Sequence, residues 1–321
     1  MTSLPRNTIL TGDALARLRE LPSASVDCVI TSPPYYQLRD YGVAGQLGLE
    51  DTVDAWVEGL RSVCAEVARV LKPTGAFWLN LGDSYSRHPR YGAPPKSFLL
   101  GPERLVLALV RDGWIIRNKV VWAKTNPMPT SITDRLNATY EVVYFLVRSP
   151  RYFFDLDAIR EPHRSTNRRS ARPALLAPPT WAGPLAGRND GLRRARAAGR
   201  PGHPLGKNPG DVWRQAAHAY RGAHFATFPE ALIRRPLLAT CPGWVCARCG
   251  VPHRREPGCS CRAGVVSGLA LDPFFGTGTV GVVAREHGRD WLGIELNRIY
   301  VELAQERLRA SAQGAPGAQA A

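Results

Sequence analysis

Acidic residues are scarce in this 321-residue chain: 27 Asp and Glu stand against 42 Lys and Arg, a formal net charge of +15. The imbalance points to a polyanionic partner, with nucleic acid the default candidate and a merely solubilising surface charge the alternative. Long hydrophobic runs are lacking too. The longest, such as Leu105 to Val110, are core-sized and fall well short of the roughly 18 residues a membrane span needs. The opening Met1-Thr2-Ser3-Leu4-Pro5 has no charged stretch followed by an apolar one, so no secretory leader is expected and the cytoplasm is the expected location. No internal repeat is seen. Hydrophobic residues nevertheless make up 44% of the chain, enough for a real core in one large domain with additions, or in two domains.

The charge is uneven. Residues 160–222 hold 13 Arg and Lys against 3 acids, so two thirds of the excess sits in one fifth of the chain. This segment is rich in Pro, Gly and Ala and has little periodicity, which predicts long loops or partial disorder. Arg168, Arg169, Arg172, Arg193, Arg194, Arg196 and Arg200 are its candidate phosphate contacts, a solvated arm being the alternative. The residues after Arg309 are Ala/Gln/Gly-rich, and a frayed tail over 310–321 is expected.

On either side of the basic segment, strands and helices alternate. Val26–Thr31, Ala76–Leu81, Ile115–Trp122, Tyr140–Val147, Leu269–Leu271 and Trp291–Ile294 read as strands. From Val53 to Leu71 apolar residues recur at three and four, predicting an amphipathic helix that closes near Pro73 and Gly75. Leu105–Val110, Val280–His287 and Arg298–Arg309 read as further helices. Such alternation implies βαβ units, hence an α/β, doubly wound, mostly parallel sheet. The basic loop-rich segment and a small Cys-rich one are then insertions.

Two turns carry chemistry. Asp272-Pro273-Phe274-Phe275-Gly276-Thr277-Gly278-Thr279 joins a predicted strand to a predicted helix, and its glycines let a ligand approach the backbone closely. No Lys follows Gly278-Thr279, and the spacing is not G-x-G-x-x-G, so neither a phosphate loop nor a dinucleotide fingerprint is present. Glu295, 23 residues after Asp272, ends the next strand, where an acid can accept hydrogen bonds from ribose hydroxyls. A nucleoside without phosphates fits this pair better than a nucleotide. The alternative is a tight turn plus an N-capping acid.

The second turn, Thr31-Ser32-Pro33-Pro34-Tyr35, follows a buried strand. Prolines fix the backbone and leave carbonyls without neighbouring amide donors. Such carbonyls, with Ser32, can accept from an exocyclic NH2, and Tyr35 offers a flat face to a base. A rigid proline turn is the plainer reading of the loop alone.

Ile30-Thr31-Ser32-Pro33-Pro34-Tyr35 resembles the signature of DNA amino-methyltransferases, in the version typical of cytosine-N4 enzymes, and Asp272 to Thr279 resembles their S-adenosylmethionine loop. The order, target-base loop first and cofactor loop last, resembles the circularly permuted β class. Thr11-Gly12-Asp13, Arg69 to Pro73, Leu81-Gly82-Asp83, Trp122-Ala123-Lys124, Asn126 to Pro129, Gly210 to Trp213 and His224 to Pro229 agree, so the likeness covers roughly 1–160 and 208–308. The resemblance implies the Rossmann-like S-adenosylmethionine-dependent methyltransferase fold. Its parts would be a catalytic half over 1–160, a target-recognition insertion over 161–209 and a cofactor half over 210–309. It implies a methyl transfer to an amine of a flipped base in duplex DNA, with Ser32, Pro33, Pro34 and Tyr35 at the base. Asp13, His224, Thr227, Asp272, Pro273, Phe274, Gly276, Gly278, Thr279, Glu295 and Asn297 would bind the cofactor. Ser32 and the Pro33 carbonyl would accept the amine's two N–H groups and aim the nitrogen lone pair at the methyl group. No covalent intermediate is required, and Cys28 is expected in the core. A restriction endonuclease acting on the same site is an expected partner. Adenine N6 is the rival target; a DNA-binding protein with an idle cofactor pocket, and an RNA or protein methyltransferase, are further alternatives.

Five of the seven cysteines fall between Cys241 and Cys261. Cys246-x2-Cys249 with a following glycine, then Cys259-x-Cys261, offers four thiolates in a pattern that resembles a zinc knuckle. A structural zinc is expected, with Cys241 or His253 as a substitute ligand and unliganded or redox thiols as alternatives.

Overall fold

The computed structural model describes residues 4–163, 203–217, 228–253 and 258–313. The first half contains β1 (Thr8–Thr11), α1 (Ala14–Glu20), β2 (Val26–Thr31), α2 (Val53–Val70), β3 (Leu71–Leu81), α3 (Gly101–Arg111), β4 (Ile115–Lys124) and β5 (Tyr140–Val147). Then come β6 (Val212–Gln215), α4 (Glu230–Thr240), β7 (Trp244–Cys246), β8 (Pro252–His253), β9 (Val265–Ser267), β10 (Leu269–Asp272), α5 (Thr279–Glu286), β11 (Asp290–Glu295) and α6 (Arg298–Gln313).

Side chains of the central strands alternate between two cores, as the period of two requires when both faces are covered. Phe77, Leu79 and Leu81 of β3 join Val26 and Val29 of β2 and Val142, Tyr144 and Leu146 of β5 in one core, under α1, α2 and α3. Ala76, Trp78, Cys28, Ile30, Val143, Phe145 and Val147 join the other, under α4, α5 and α6. The main sheet runs β1-β11-β10-β2-β3-β5-β4-β6. Its pairings are parallel except those of β5, which makes it the doubly wound, mostly parallel sheet expected. Strands β2 and β3 build the sheet one way and β10 and β11 the other. The direction of winding therefore reverses between β2 and β10, and in such sheets ligands bind at the carboxyl ends beside that reversal. A second sheet, β8-β7-β9, is antiparallel.

Residues 156–210 form a second unit, of which 156–163 and 203–210 are described. In its described part a 3-10 turn at Asp157–Ile159 leads to Glu161, whose N–H and carbonyl both bond Lys207 at 3.0 and 2.8 Å.

Several boundaries differ from the sequence expectation. Helix α2 stops at Val70 and β3 starts at once at Leu71, so Pro73 and Gly75 lie within a strand. They occupy a bulge: Val26 pairs with Leu71, but Cys28 pairs with Ala76. Proline and glycine are at home in a bulge, where ladder bonds are interrupted. The expected frayed tail is corrected at its start, because α6 continues to Gln313. Helix α4 was not foreseen; Pro236 lies inside it, and an internal proline argues against a helix in sequence. The four-residue strands β1 and β6 are too short for a pattern to show.

At Gly75 a Cβ would come within 2.8 Å of the Asp27 carbonyl and 2.6 Å of Leu71. Gly75→Ala is expected to force the bulge apart and cost about 1–3 kcal/mol of stability, measured by urea denaturation; an unchanged midpoint would show that the bulge yields freely.

Candidate active site

Two loops leave the sheet side by side. Because β2 and β10 pair in parallel, Cys28 with Ala270 and Val29 with Leu271, their carboxyl ends lie at the same edge. Ser32 follows one and Pro273 the other. The Thr31 hydroxyl donates to Asp272 Oδ1 at 2.5 Å, and the Phe274 N–H donates to the same oxygen at 3.0 Å. Asp272 is buried, which pushes its carboxyl up to about 7 despite the opposing bonds from Thr31 and Phe274; the charge of Glu295 raises it further.

The turn after Asp272 curls over Glu295 at the end of β11. Glu295 Oε2 accepts the Gly276 N–H at 2.7 Å and Oε1 accepts the Asn297 N–H at 2.8 Å. Burial raises its pKa as well. Two oxygens offer about four acceptor positions, so the carboxylate retains capacity for ligand hydroxyls. The turn needs its glycines: Gly276 and Gly278 have φ of +51° and +80°, and Gly278 is the N-cap of α5.

A cleft of about 730 Å³, its open mouth included, connects these pieces. Ser32 and Pro34 line it from the first loop; Pro273, Phe274 and Gly276 from the second; Glu295 and Asn297 from the end of β11; and Gly12 and Asp13 from the end of β1. Asp13 also caps α1 by accepting the Ala16 N–H at 2.8 Å. Tyr41 and Tyr300 wall the cleft, edge to face with ring centres 6.2 Å apart. Among the described residues, the lining contains two carboxylates and neither lysine nor arginine. This composition suits a neutral or cationic ligand and disfavours a polyphosphate.

Beside the cleft, the Ser32–Tyr35 loop is tied into a polar chain. Ser32 Oγ donates to the Tyr35 hydroxyl at 3.1 Å, which donates to Glu141 Oε2 at 2.6 Å. Asn80 Nδ2 donates to the same oxygen at 3.1 Å, and Lys124 Nζ pairs with Glu141 Oε1 at 2.5 Å. Burial, and then the Glu141 charge, hold the Tyr35 pKa well above the usual phenol value, so the phenol stays protonated. The Pro34 carbonyl accepts the Trp56 indole N–H at 2.9 Å. That carbonyl is thus committed to the fold, and Pro33 is buried.

Other expected residues fall elsewhere. Gly278 packs against Phe275 and Ala304. Thr279 is buried at the start of α5, its hydroxyl accepting from Arg307 at 2.9 Å. Cys28 is fully buried and burial pushes its thiol up to about 12, an inert core position. His224, Thr227 and the seven arginines Arg168, Arg169, Arg172, Arg193, Arg194, Arg196 and Arg200 lie outside the described residues. Cys246, Cys249, Cys259 and Cys261 cluster with their sulfurs within 4.8 Å of one another. Cys241 stands apart, buried, its carbonyl accepting from Arg289. Glu141, Asn80, Tyr41 and Tyr300 were not singled out from sequence. For Glu141 a signal existed, an acid at the second position of the apolar run YEVVYFLV; for the two tyrosines there was none.

A family profile described as DNA methylase matches residues 26–306 of the chain. The Type II methyltransferase M.XycI from Xanthomonas campestris pv. cyanopsidis is 37% identical over 94% of this chain and 88% of its own length. Two solved structures share the fold. One is the PvuII DNA methyltransferase (cytosine-N4-specific), with a TM-score of 0.56, 20% identity and coverage of 97% and 93% of the two chains. The other is a Thermus thermophilus protein in complex with S-adenosyl-L-methionine, with a TM-score of 0.54, 24% identity and coverage of 95% and 96%.

The Asp272 carboxyl has a pH signature. Folded, it keeps its proton up to about pH 7; unfolded, it loses it near pH 4. Between roughly those values the folded state binds the extra proton, so stability falls as pH rises through the window. Asp272→Asn should flatten this slope, read as denaturation midpoints at pH 5 and 7.5. Equal slopes in the two proteins would mean that Asp272 is already ionised at pH 5.

Proposed function

The chain belongs to the DNA methylase family, the N6/N4 amino-methyltransferases, and from that premise we propose that it methylates the exocyclic N4 of cytosine in duplex DNA, using S-adenosylmethionine. The observation that carries this reading is the single cleft that Ser32 and Pro34 share with Gly276 and Glu295. When bound there, S-adenosylmethionine supplies an electrophilic methyl carbon on a positively charged sulfur. A lining with two carboxylates and, among the described residues, no cation fits that charge. Glu295 would accept from ribose hydroxyls, and Asp13, Pro273, Phe274, Gly276 and Asn297 complete the holding residues. His224 and Thr227 are carried over from the resemblance alone.

The amine is a poor nucleophile because its lone pair is delocalised into the base. Ser32 Oγ and the Pro33 carbonyl accept its two N–H groups and favour a tetrahedral nitrogen. Ser32 is prepared for this, since its own hydrogen is directed to Tyr35. Once the new N–C bond has formed, the nitrogen carries a surplus proton. Ser32 receives it while passing its own to Tyr35, and Tyr35 passes its own to Glu141. The carboxylate is neutralised and Lys124 keeps the chain's end oriented. Positioning of this kind contributes several kcal/mol, up to ~7–11 in ideal cases. The base is extruded from the duplex at a cost of a few kcal/mol, offset by phosphate contacts from Arg168, Arg169, Arg172, Arg193, Arg194, Arg196 and Arg200. The Thr31-Ser32 form of the loop, in place of an acidic first residue, favours cytosine over adenine. The Type II relative supports a companion restriction endonuclease of the same site.

Expression in a host free of DNA methylation, followed by chromatography of the genomic nucleosides, is expected to give N4-methylcytosine. N6-methyladenine alone would overturn the cytosine assignment. Ser32→Ala should lower kcat/KM by ~10²–10⁴, as loss of proton-transfer assistance does; an unchanged value would remove Ser32 from the chemistry. Tyr35→Phe and Glu141→Gln should each lower kcat, and the double variant should be no slower than the worse single one, because both break the same chain. Additive losses would mean that the two residues act separately.

A further inference from the structure

The four clustered cysteines are not used by the methyl-transfer site and lie at the other end of the strands. Cys246 ends β7, and Gly250 packs near Lys72 at the beginning of β3. Strand β7 turns back on itself: the Gly250 N–H bonds the Cys246 carbonyl at 2.9 Å, and the Cys246 N–H bonds the Val251 carbonyl at 2.9 Å. Gly250 has a φ of +68°, which a side chain would strain. This turn brings Cys249 back over Cys246. Cys259 and Cys261 arrive from the segment before β9, whose Val265 pairs with Cys246. All four sulfurs lie within 4.8 Å of one another. Two disulfides would draw the sulfurs into separate pairs, whereas a tetrahedral thiolate site with Zn–S bonds of about 2.3 Å sets all of them about 3.8 Å apart. The cluster therefore needs a contraction of at most about 1 Å to reach metal geometry.

We propose that Cys246, Cys249, Cys259 and Cys261 bind one Zn²⁺ as a closed structural site that fixes the β7–β9 sheet against the amino end of β10. With four protein ligands no position remains for water, so the ion takes no part in chemistry. His253 Nε2, 3.7 Å from Cys259 Sγ, is placed to hydrogen-bond a liganding sulfur and orient it. Cys241 and His253 are not ligands. The mechanical consequence runs along the chain. Strand β9 ends at Ser267 and β10 begins at Leu269; the Leu269 N–H bonds Asp27 at 2.9 Å, and Lys72 pairs with Asp27 at 2.7 Å. The metal-bound turn thus anchors the strand whose far end is Asp272.

The test uses the full chain purified without added chelator. Elemental analysis should give about one zinc per chain, and titration with a mercurial in the presence of a zinc-binding dye should release it as four thiols react. Cys64→Ser should leave the stoichiometry at one. Cys249→Ser with Cys261→Ser should abolish it. Should that variant fail to fold, growth of the unaltered protein with cobalt should give the intense visible bands of tetrahedral cobalt–thiolate instead. Chain purified without zinc, iron in its place, or the four cysteines recovered as disulfides would each overturn the proposal. None of these readouts depends on methylation, so they stand or fall independently of the activity proposed above.

Discussion

The site depends on one buried contact, the hydrogen bond from Thr31 to Asp272 between neighbouring strands β2 and β10. These residues are 241 positions apart in the chain. Parallel pairing puts the carboxyl ends of both strands at the same edge, and the reversal of winding opens a crevice there. Removing a carboxyl group from water is unfavourable, and the raised Asp272 pKa records that cost. Two donors, Thr31 and the Phe274 N–H, make the burial tolerable. The same oxygen thereby links the loop that begins with Ser32 to the turn that carries Gly276.

Charge is sorted by place. The cleft is lined by acids without a cation among the described residues, while the chain's basic excess is concentrated in 160–222. A sulfonium nucleoside and a nucleic-acid backbone require opposite fields, and the proposed function assigns them to different segments. Beside the cleft, Lys124 balances the charge of the half-buried Glu141. Tyr35, kept protonated, accepts from Ser32 and donates to Glu141 in the same chain of bonds. A phenylalanine there would preserve the flat ring and lose both bonds.

How much of this was legible in the sequence follows from what each element depends on. Strand β2 and helix α2 could be read because period and burial coincide: all six residues of β2 are buried, and Val53, Trp56, Val57 and Leu60 share a face of α2. The glycine turn and Ser-Pro-Pro-Tyr were legible because glycine and proline restrict the backbone locally. Helix α4 was hidden by Pro236, and the close of α2 was misplaced because Pro73 and Gly75 serve a bulge. The polar chain could not be foreseen in full. It joins Ser32 and Tyr35 to residues on β3, β4 and β5, and only the folded sheet brings those strands together. The two tyrosines of the cleft wall likewise meet through tertiary packing, from positions 41 and 300.

On the proposed function, this cleft is built for a cationic nucleoside. Titration calorimetry of the intact chain with S-adenosylmethionine tests it most directly. One molecule should bind per chain; Glu295→Ala should weaken binding by roughly 10–100-fold, the worth of a charge-assisted hydrogen bond, while Ser32→Ala leaves it unchanged and adenosine triphosphate does not compete. A folded chain that binds no S-adenosylmethionine, or that prefers the triphosphate, would show that the cleft serves a different ligand.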